Sequence, residues 1–169
     1  ANFKTPNTNF ALLVSEKFTE PFKEPIQYGQ HVARLANMLG GGILVQRFGD
    51  LLDGRRSTPD RIKNSIITPT LTCATPGDLS LVIPHRQMTS IIEMIQALDK
   101  IAPGTASRYT LLYGIEVKFY SARVKLTDEL ETEGVKNLFA IGDGAGVTRG
   151  LIQASASGVH VARTICARG

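Results

Sequence analysis

The feature that most constrains this chain lies near its C-terminal end, where a short apolar run meets a glycine loop and then a helix of small residues. Residues 137–158 have the sequence NLFAIGDGAGVTRGLIQASASG. The apolar run at 137–141 predicts a short buried strand, and residues 151–167 predict a helix in which Ala, Ser and Gly recur. An Asp placed directly after a strand lies where open α/β sheets bind their ligands. The sequence therefore predicts a strand–loop–helix unit with a ligand site at its loop.

Glycine occurs repeatedly in this loop for identifiable structural reasons. The predicted strand ends at Gly142, and Gly144 and Gly146 remove side chains, so that a ligand can approach the backbone. Gly150 allows a sharp entry into the helix, whose first turn presents backbone N–H groups and a partial positive charge. An Asp-Gly turn before a small-residue helix also occurs where nothing binds, so the letters GDG alone do not establish a site.

The longer string resembles the second cofactor motif of flavoprotein oxidoreductases. It is similar to the C-terminal FAD motif of the bacterial FAD-dependent, or NAD(FAD)-utilizing, dehydrogenases. Four upstream strings are similar to the same family, so the resemblance covers nearly the whole chain: NFALLVSEKFTEPF, ANMLGGGILVQRFGDLLDGRRST, TPGDLSLVIP and LLYGIEVKFYSARV. In that family an N-terminal GxGxxG loop holds the FAD diphosphate, an inserted middle domain covers the flavin, and a C-terminal strand and helix complete the FAD domain.

The resemblance implies a mixed α/β (α+β) chain in two parts. Residues 1–124 would form the inserted, cofactor-covering domain on the substrate side. Residues 125–169 would form the terminal strand, loop and helix of a Rossmann-type FAD domain. No GxGxxG occurs in the sequence, because Gly142 and Gly144 are followed by Val147 at the sixth position. We therefore expect the diphosphate site on an N-terminal FAD-binding half that is absent from this chain.

The resemblance also assigns cofactor contacts. Asp143 would accept a hydrogen bond from a ribityl hydroxyl, and the backbone at 151–153 would face the pyrimidine edge of the flavin. Arg149 would add positive charge there, or would point outward as a surface side chain. The expected cofactor-binding residues are Gly142, Asp143, Gly144, Ala145, Gly146, Arg149, Gly150, Leu151, Ile152 and Gln153.

The charge and cysteine content of the chain indicate which kinds of partner it binds. The 19 basic and 15 acidic residues give a net charge of +4, which suits a small anion as readily as a polymer. Arg55, Arg56 and Arg61 form the densest basic cluster, and we interpret it as a solvated turn because no aromatic residue interrupts it. We expect no nucleic-acid partner, no metal site and, since no apolar run approaches ~20 residues, no membrane segment. Cys73 and Cys166 form no CxxC, which favours a reduced, cytoplasmic protein.

The expected parent is an FAD-dependent oxidoreductase that acts on a small-molecule substrate of unknown identity, through catalytic residues that the sequence does not reveal. We expect this chain alone to be inactive. NAD(P)H is a candidate electron donor, although the sequence shows no site for it. Two alternatives stay open: a flavoprotein that modifies RNA, and a non-catalytic binding or assembly module.

Upstream of the glycine loop, hydrophobic periodicity and turn residues predict the secondary structure. The apolar stripe of the helix predicted at 86–101 is interpreted as core. The run at 43–48 fits a strand or a further helical turn, and we prefer the strand. The predicted helices are 28–39, 59–65 and 86–101, and the predicted strands are 9–18, 43–48 and 109–124. The last would be one long strand or a bent pair, in which Gly114 would form a bulge.

Overall fold

The computed structural model describes residues 6–119 and 123–169. The chain divides into two compact units, Ala1–Val117 and Lys118–Gly169, and each is described by itself. Every helix in the described ranges is too short or too polar to cross a bilayer. The assignment of residues 1–124 to an inserted domain and of the remainder to an FAD domain stays a prediction.

Over its described residues the first unit is mixed α/β, with four helices and a small sheet. In its sheet the strand β1 (Leu44–Arg47) lies between β2 (Thr75–Pro76), to which it is parallel, and β3 (Leu111–Gly114), to which it is antiparallel. A short 3₁₀ turn, Leu79–Leu81, precedes the last helix. In chain order the elements are α1 (Pro25–Gly40), β1 (Leu44–Arg47), α2 (Phe48–Leu52), α3 (Pro59–Lys63), β2 (Thr75–Pro76), α4 (His85–Asp99) and β3 (Leu111–Gly114).

Local signals explain where the helices of this unit begin. Helix α1 starts at Pro25, whose missing N–H costs nothing in a first turn. Helix α3 follows Thr58, whose Oγ1 accepts a hydrogen bond from the backbone N–H of Arg61 at 3.3 Å. Helix α4 buries Met88 and Ile95, in agreement with the predicted core stripe. All three predicted helices are confirmed.

Strand β1 lies at the centre of the sheet and buries side chains on both faces. Leu44 belongs to the main hydrophobic cluster, whereas Val45 belongs to a smaller one with Ile62 and Ala74. Successive side chains of a strand point to opposite faces, which explains the division. The predicted strand at 43–48 is thereby confirmed. The main cluster consists of Ala36, Leu44, Phe48, Leu51, Leu79, Val82, Met88 and Ile95.

Two predicted strands of this unit are wrong in whole or in part. Residues 9–18 form no sheet pairing with any described residue; Leu12 packs on the core, but Phe10 and Leu13 are exposed. The predicted strand 109–124 is paired only at Leu111–Gly114, since its partner β1 is itself four residues long. Residues 120–122 of that prediction lie outside the described residues.

The second unit contains helix α5 (Leu151–Arg168), which confirms the prediction, and a short 3₁₀ turn at Asp143–Ala145. The predicted buried strand at 137–141 is wrong. Its one described pairing is an isolated bridge from Phe139 to Glu131, and Leu138 and Ile141 are about half exposed. A buried strand needs neighbours along both edges, and the described part of this unit supplies a single bridge partner.

Candidate functional site

The loop before α5 is closed by one carboxylate. Asp143 Oδ1 accepts hydrogen bonds from Thr148 Oγ1 at 2.6 Å and from the backbone N–H of Gly150 at 3.3 Å. These two bonds connect the start of the loop to its end. Asp143 therefore holds the glycine loop and the start of α5 in a fixed relation.

Gly142 introduces the loop in a backbone conformation that only glycine adopts readily. Its φ is 71° and its ψ is −165°. Its N–H donates to Ser157 Oγ at 3.1 Å, and that hydroxyl donates to the carbonyl of Ala154 at 2.7 Å. A Cβ at Gly142 would lie 3.8 Å from Ala154 Cβ, an ordinary contact. The backbone angle, and not lack of space, is what requires glycine here.

The middle of the loop combines an anchored turn with an open backbone. Ala145 is buried, and the N–H of Gly146 donates to the carbonyl of Asp143 at 3.0 Å. The carbonyl of Ala145 in turn accepts from the N–H of Val124 at 3.4 Å. By contrast, a Cβ built at Gly144 would have no atom within 4 Å. A ligand can therefore approach the backbone at Gly144 without displacing protein atoms.

The first turn of α5 is exposed and lacks a side-chain cap. The first intrahelical bond runs from the N–H of Ala154 to the carbonyl of Gly150 at 2.9 Å. The N–H groups of Leu151, Ile152 and Gln153 accordingly have no acceptor within the helix. The side chains of Leu151 and Ile152 are 88% and 80% exposed. This turn thus offers backbone donors and apolar surface at one place.

Small residues let α5 pack closely on the segment before the loop. A Cβ at Gly158 would lie 3.7 Å from Ile141 Cδ1, so the helix backbone approaches that side chain. Ser157 and Val161 are buried on the same helix. The predicted small-residue face therefore serves packing within the unit.

An ionic cluster fixes the other end of α5. Arg168 Nη2 donates to carboxylate oxygens of Glu129 and of Glu131, the latter at 2.6 Å. Its guanidinium carbon lies 5.2 Å from the ring centroid of Phe139. The Arg168 hydrogen bond, followed by one from the N–H of Asn137 at 2.6 Å, holds the pKa of Glu131 below its ordinary value. These bonds hold α5 at the end opposite the glycine loop.

The ten predicted cofactor residues occupy the loop and the first turn of α5, and the structure gives them different environments. The Asp143 carboxylate is engaged in closing the loop, and Arg149 is exposed; both make further interactions within the protein. Among the described residues, no three His, Cys, Asp or Glu side chains are grouped so that they could hold a metal ion. The assignment of cofactor contacts stays a prediction.

Sequence reasoning missed a polar cluster in the first unit. Arg55 and Arg61, interpreted above as part of a solvated turn, are 49% and 38% exposed and are also paired, because Arg55 Nε lies 2.9 Å and Arg61 Nη1 3.5 Å from Asp50 Oδ1. Asp50 is 1% exposed, so its burial organises both arginines. The available signal was an Asp among apolar residues, with arginines five and eleven positions later.

Comparison with known proteins agrees with the resemblance. A family model described as glucose inhibited division protein A matches residues 70–168, more than half of the chain. A Clostridium beijerinckii protein described as uncharacterized is 33% identical over 170 residues, which cover 94% of this chain and 31% of the relative. The chain therefore spans about a third of the length of that relative. The predicted kinship with FAD-dependent, NAD(FAD)-utilizing dehydrogenases is confirmed.

Proposed function

The chain belongs to the glucose inhibited division protein A family, and on that premise we propose that it forms the flavin-side part of the FAD site of an oxidoreductase. The family is FAD-binding. When bound, FAD supplies the hydride chemistry, while protein groups position it and set the local field. The substrate would be a small molecule, and NAD(P)H is the proposed electron donor.

The first turn of α5 is the observation that supports this proposal most directly. Its N–H groups at 151–153 have no intrahelical acceptors, and a helix N-terminus carries a partial positive charge. The pyrimidine edge of a flavin gains negative charge on reduction, so these donors suit it. The exposed side chains of Leu151 and Ile152 would provide apolar contact beside the ring. Arg149 would add positive charge.

Asp143 can serve the loop and the cofactor together. One of its oxygens already accepts from Thr148 and Gly150. An ionised carboxylate has about four acceptor positions on its two oxygens, so a ribityl hydroxyl can donate to the same group. The loop bonds would then preorganise the carboxylate for the ribityl chain, with the open backbone at Gly144 leaving room for it.

The proposed domain arrangement follows the family resemblance. Residues 1–124 would cover the flavin as an inserted domain, and residues 125–169 would complete the FAD-binding domain. A further part of the parent protein would supply the GxGxxG loop and the diphosphate contacts. The length of the relative, of which this chain covers 31%, supports such a parent.

Titration of FAD tests the proposed division of the site. The isolated chain should give no saturable quenching of flavin fluorescence at micromolar concentrations, because anion contacts at a glycine loop and helix N-terminus contribute much of dinucleotide affinity. A parent protein that contains this chain should retain FAD and show its absorbance band. Tight one-to-one binding by the isolated chain would contradict the division, and a colourless parent that cannot be reconstituted would contradict the function.

Substitution of Asp143 in the parent tests the residue assignment. Asp143→Ala should weaken FAD binding by about ten- to a hundredfold, since a hydrogen bond to a charged group contributes roughly 1.5–3 kcal/mol. Thr148→Val removes a loop bond but leaves the carboxylate, so it should weaken binding less. Asp128→Ala, an exposed aspartate of the same unit, is the matched control and should have no effect. Equal losses in Thr148→Val and Asp143→Ala would make Asp143 a loop residue only.

A charge placed in the first turn of α5 tests the orientation of the flavin. Gln153→Asp should oppose the helix N-terminus and lower the flavin midpoint potential by about 6–40 mV, the equivalent of roughly 0.3–2 kcal/mol for two electrons. Ala162→Asp, an exposed position farther along α5, should leave the potential unchanged. Potentiometric titration at low salt measures the midpoint potential of each variant. Equal shifts in both variants would show that the start of the helix does not face the flavin edge.

A further inference from the structure

A buried carboxylate organises a group of arginines in the first unit. Asp50, on α2, is 1% exposed and accepts hydrogen bonds from Ser57 Oγ at 2.8 Å and from Arg55 Nε at 2.9 Å. Arg61 Nη1 lies 3.5 Å from the same oxygen as Arg55, and Arg47 Nη1 lies 3.9 Å from the other oxygen. One aspartate thus fixes the positions of three cationic side chains.

A second aspartate completes the immobilisation of Arg55. Asp53 Oδ2 lies 3.1 Å from Arg55 Nη2 and 2.5 Å from Arg108 Nη2. The Arg108 hydrogen bond holds the pKa of Asp53 below its ordinary value, so Asp53 is ionised at neutral pH. Arg55 is therefore held by two carboxylates, and its planar guanidinium has further N–H donors beyond these bonds.

Positive charge exceeds negative charge in this group. Five arginines lie in or directly beside it, against the carboxylates of Asp50 and Asp53. Arg56 makes no side-chain hydrogen bond or ion pair with any described residue. Its charge is consequently not neutralised within the described part of the unit.

A cleft of about 350 Å³ opens beside these arginines. Arg55 and Arg56 line one part of it, and Leu39, Leu44 and Leu81 supply apolar walls. Asp78 also lines the cleft, with Oδ1 accepting from the N–H and hydroxyl of the adjacent Ser80 at 2.9 and 2.6 Å. Two arginines and one aspartate give the lining a net charge of +1. The volume is at the small end of the range for ligand pockets, roughly 300–1,000 Å³.

We propose that this cleft binds a small organic anion, with its carboxylate or phosphate group at Arg55 and Arg56 and its apolar body against the leucines. Arginine is the side chain best suited to such groups, because its planar fork pairs with two oxygens at once. The two aspartates hold Arg55 in place before the ligand arrives, which reduces the entropy lost on binding. All residues of this site belong to the first unit, and none belongs to the glycine loop.

Three probes separate the parts of this proposal in calorimetric titrations of the full chain. 1-Naphthyl phosphate carries both an anionic group and an apolar body, inorganic phosphate carries the charge alone, and 1-naphthol carries the aromatic body alone. We expect one-to-one binding of naphthyl phosphate, at least about tenfold tighter than either of the others. Amide shifts in a parallel NMR titration should map to Gly54, Arg55, Arg56 and Gly77. Absence of binding, or shifts that map elsewhere, would overturn the proposal.

Charge variants locate the anionic group. Arg56→Gln should weaken naphthyl phosphate binding by about tenfold and leave the fold intact, because no described bond depends on that side chain. Arg86→Gln removes an exposed charge on α4 of the same unit and is the matched control. Asp78→Asn should strengthen binding, since it removes negative charge from the lining while an amide oxygen can still accept from Ser80.

Each outcome has a distinct meaning. A loss in Arg56→Gln that Arg86→Gln does not share, together with a gain in Asp78→Asn, supports the site. Equal effects of the two arginine substitutions show that only net charge attracts the probe, and they overturn it. Naphthol that binds as tightly as naphthyl phosphate overturns the anion specificity. None of these outcomes depends on whether the chain contributes to an FAD site.

Discussion

The two units of this chain differ in how much structure they bury. In the first, side chains from α1, β1, α2 and α4 meet in one hydrophobic cluster. In the second, Ala145 and Val161 are the only buried hydrophobic residues among those described. Its loop and helix are held instead by hydrogen bonds of Asp143 and Ser157 and by the ion pairs of Arg168. The proposed cofactor loop thus lies in the unit with the smaller core, and a ligand that binds only the folded unit would stabilise it.

The largest effect should come from the core of the first unit. Phe48→Ala removes a side chain that is 1% exposed, and it should cost about 3–5 kcal/mol of unfolding free energy because a cavity is left behind. Leu151→Ala, at a position 88% exposed in the second unit, should change it by less than about 0.5 kcal/mol. Urea denaturation measures both. Similar effects at the two positions would contradict the contrast between the units.

A smaller effect should come from the buried aspartate of the first unit. Asp50→Asn leaves Arg55 and Arg61 without their shared carboxylate, and we expect a loss of about 1–3 kcal/mol. Glu93→Gln, an exposed acidic residue on α4, is the control and should have little effect. The same denaturation experiment at low salt compares them. If Asp50→Asn leaves the free energy of unfolding unchanged, packing alone stabilises α2.

Backbone strain should affect the second unit locally. Gly142→Ala forces a Cβ into a conformation that costs about 1–3 kcal/mol for other residues. Gly144→Ala is the matched control, because a Cβ there meets no atom within 4 Å. Hydrogen exchange of the α5 amides should accelerate in the first variant and not in the second. Unchanged exchange in both would show that the loop does not hold α5.

The smallest effect should be a pH dependence of the second unit. Arg168 holds the folded-state pKa of Glu131 below its ordinary value. The contact therefore stabilises the unit at pH values above the ordinary pKa, and the stabilisation is lost as the pH falls through the folded-state pKa. Arg168→Gln should raise the pKa of Glu131 and remove the part of the stability that is lost in acid. Carboxyl-carbon NMR titration measures the shift. The corresponding pair in the first unit, Arg108 with Asp53, should respond in the same direction to Arg108→Gln.

The elements that sequence patterns predicted correctly are those with local causes. Helices α1, α4 and α5 repeat their apolar or small residues at helical spacing, and α3 carries its own cap at Thr58. Apart from the strand at 43–48, the predicted strands were wrong in whole or in part, because a strand exists only where another segment pairs with it. Residues 9–18 have the composition of a strand and form no pairing with the described chain.

The sequence by itself determined the glycine loop and the family, because both depend on residue types at fixed spacing along the chain. It also indicated the helix that starts near Leu151, whereas the positive φ of 71° at Gly142, which favours glycine there, is visible only in the structure. Only the tertiary structure decided which polar side chains lie inside. Burial of Asp50 depends on how α2 packs against residues distant in sequence, and it places a buried carboxylate against the exposed Arg55 and Arg61, of which Arg55 also lines the cleft. Charge spacing along a chain carries no information about burial, since solvent exclusion is a property of the packed fold.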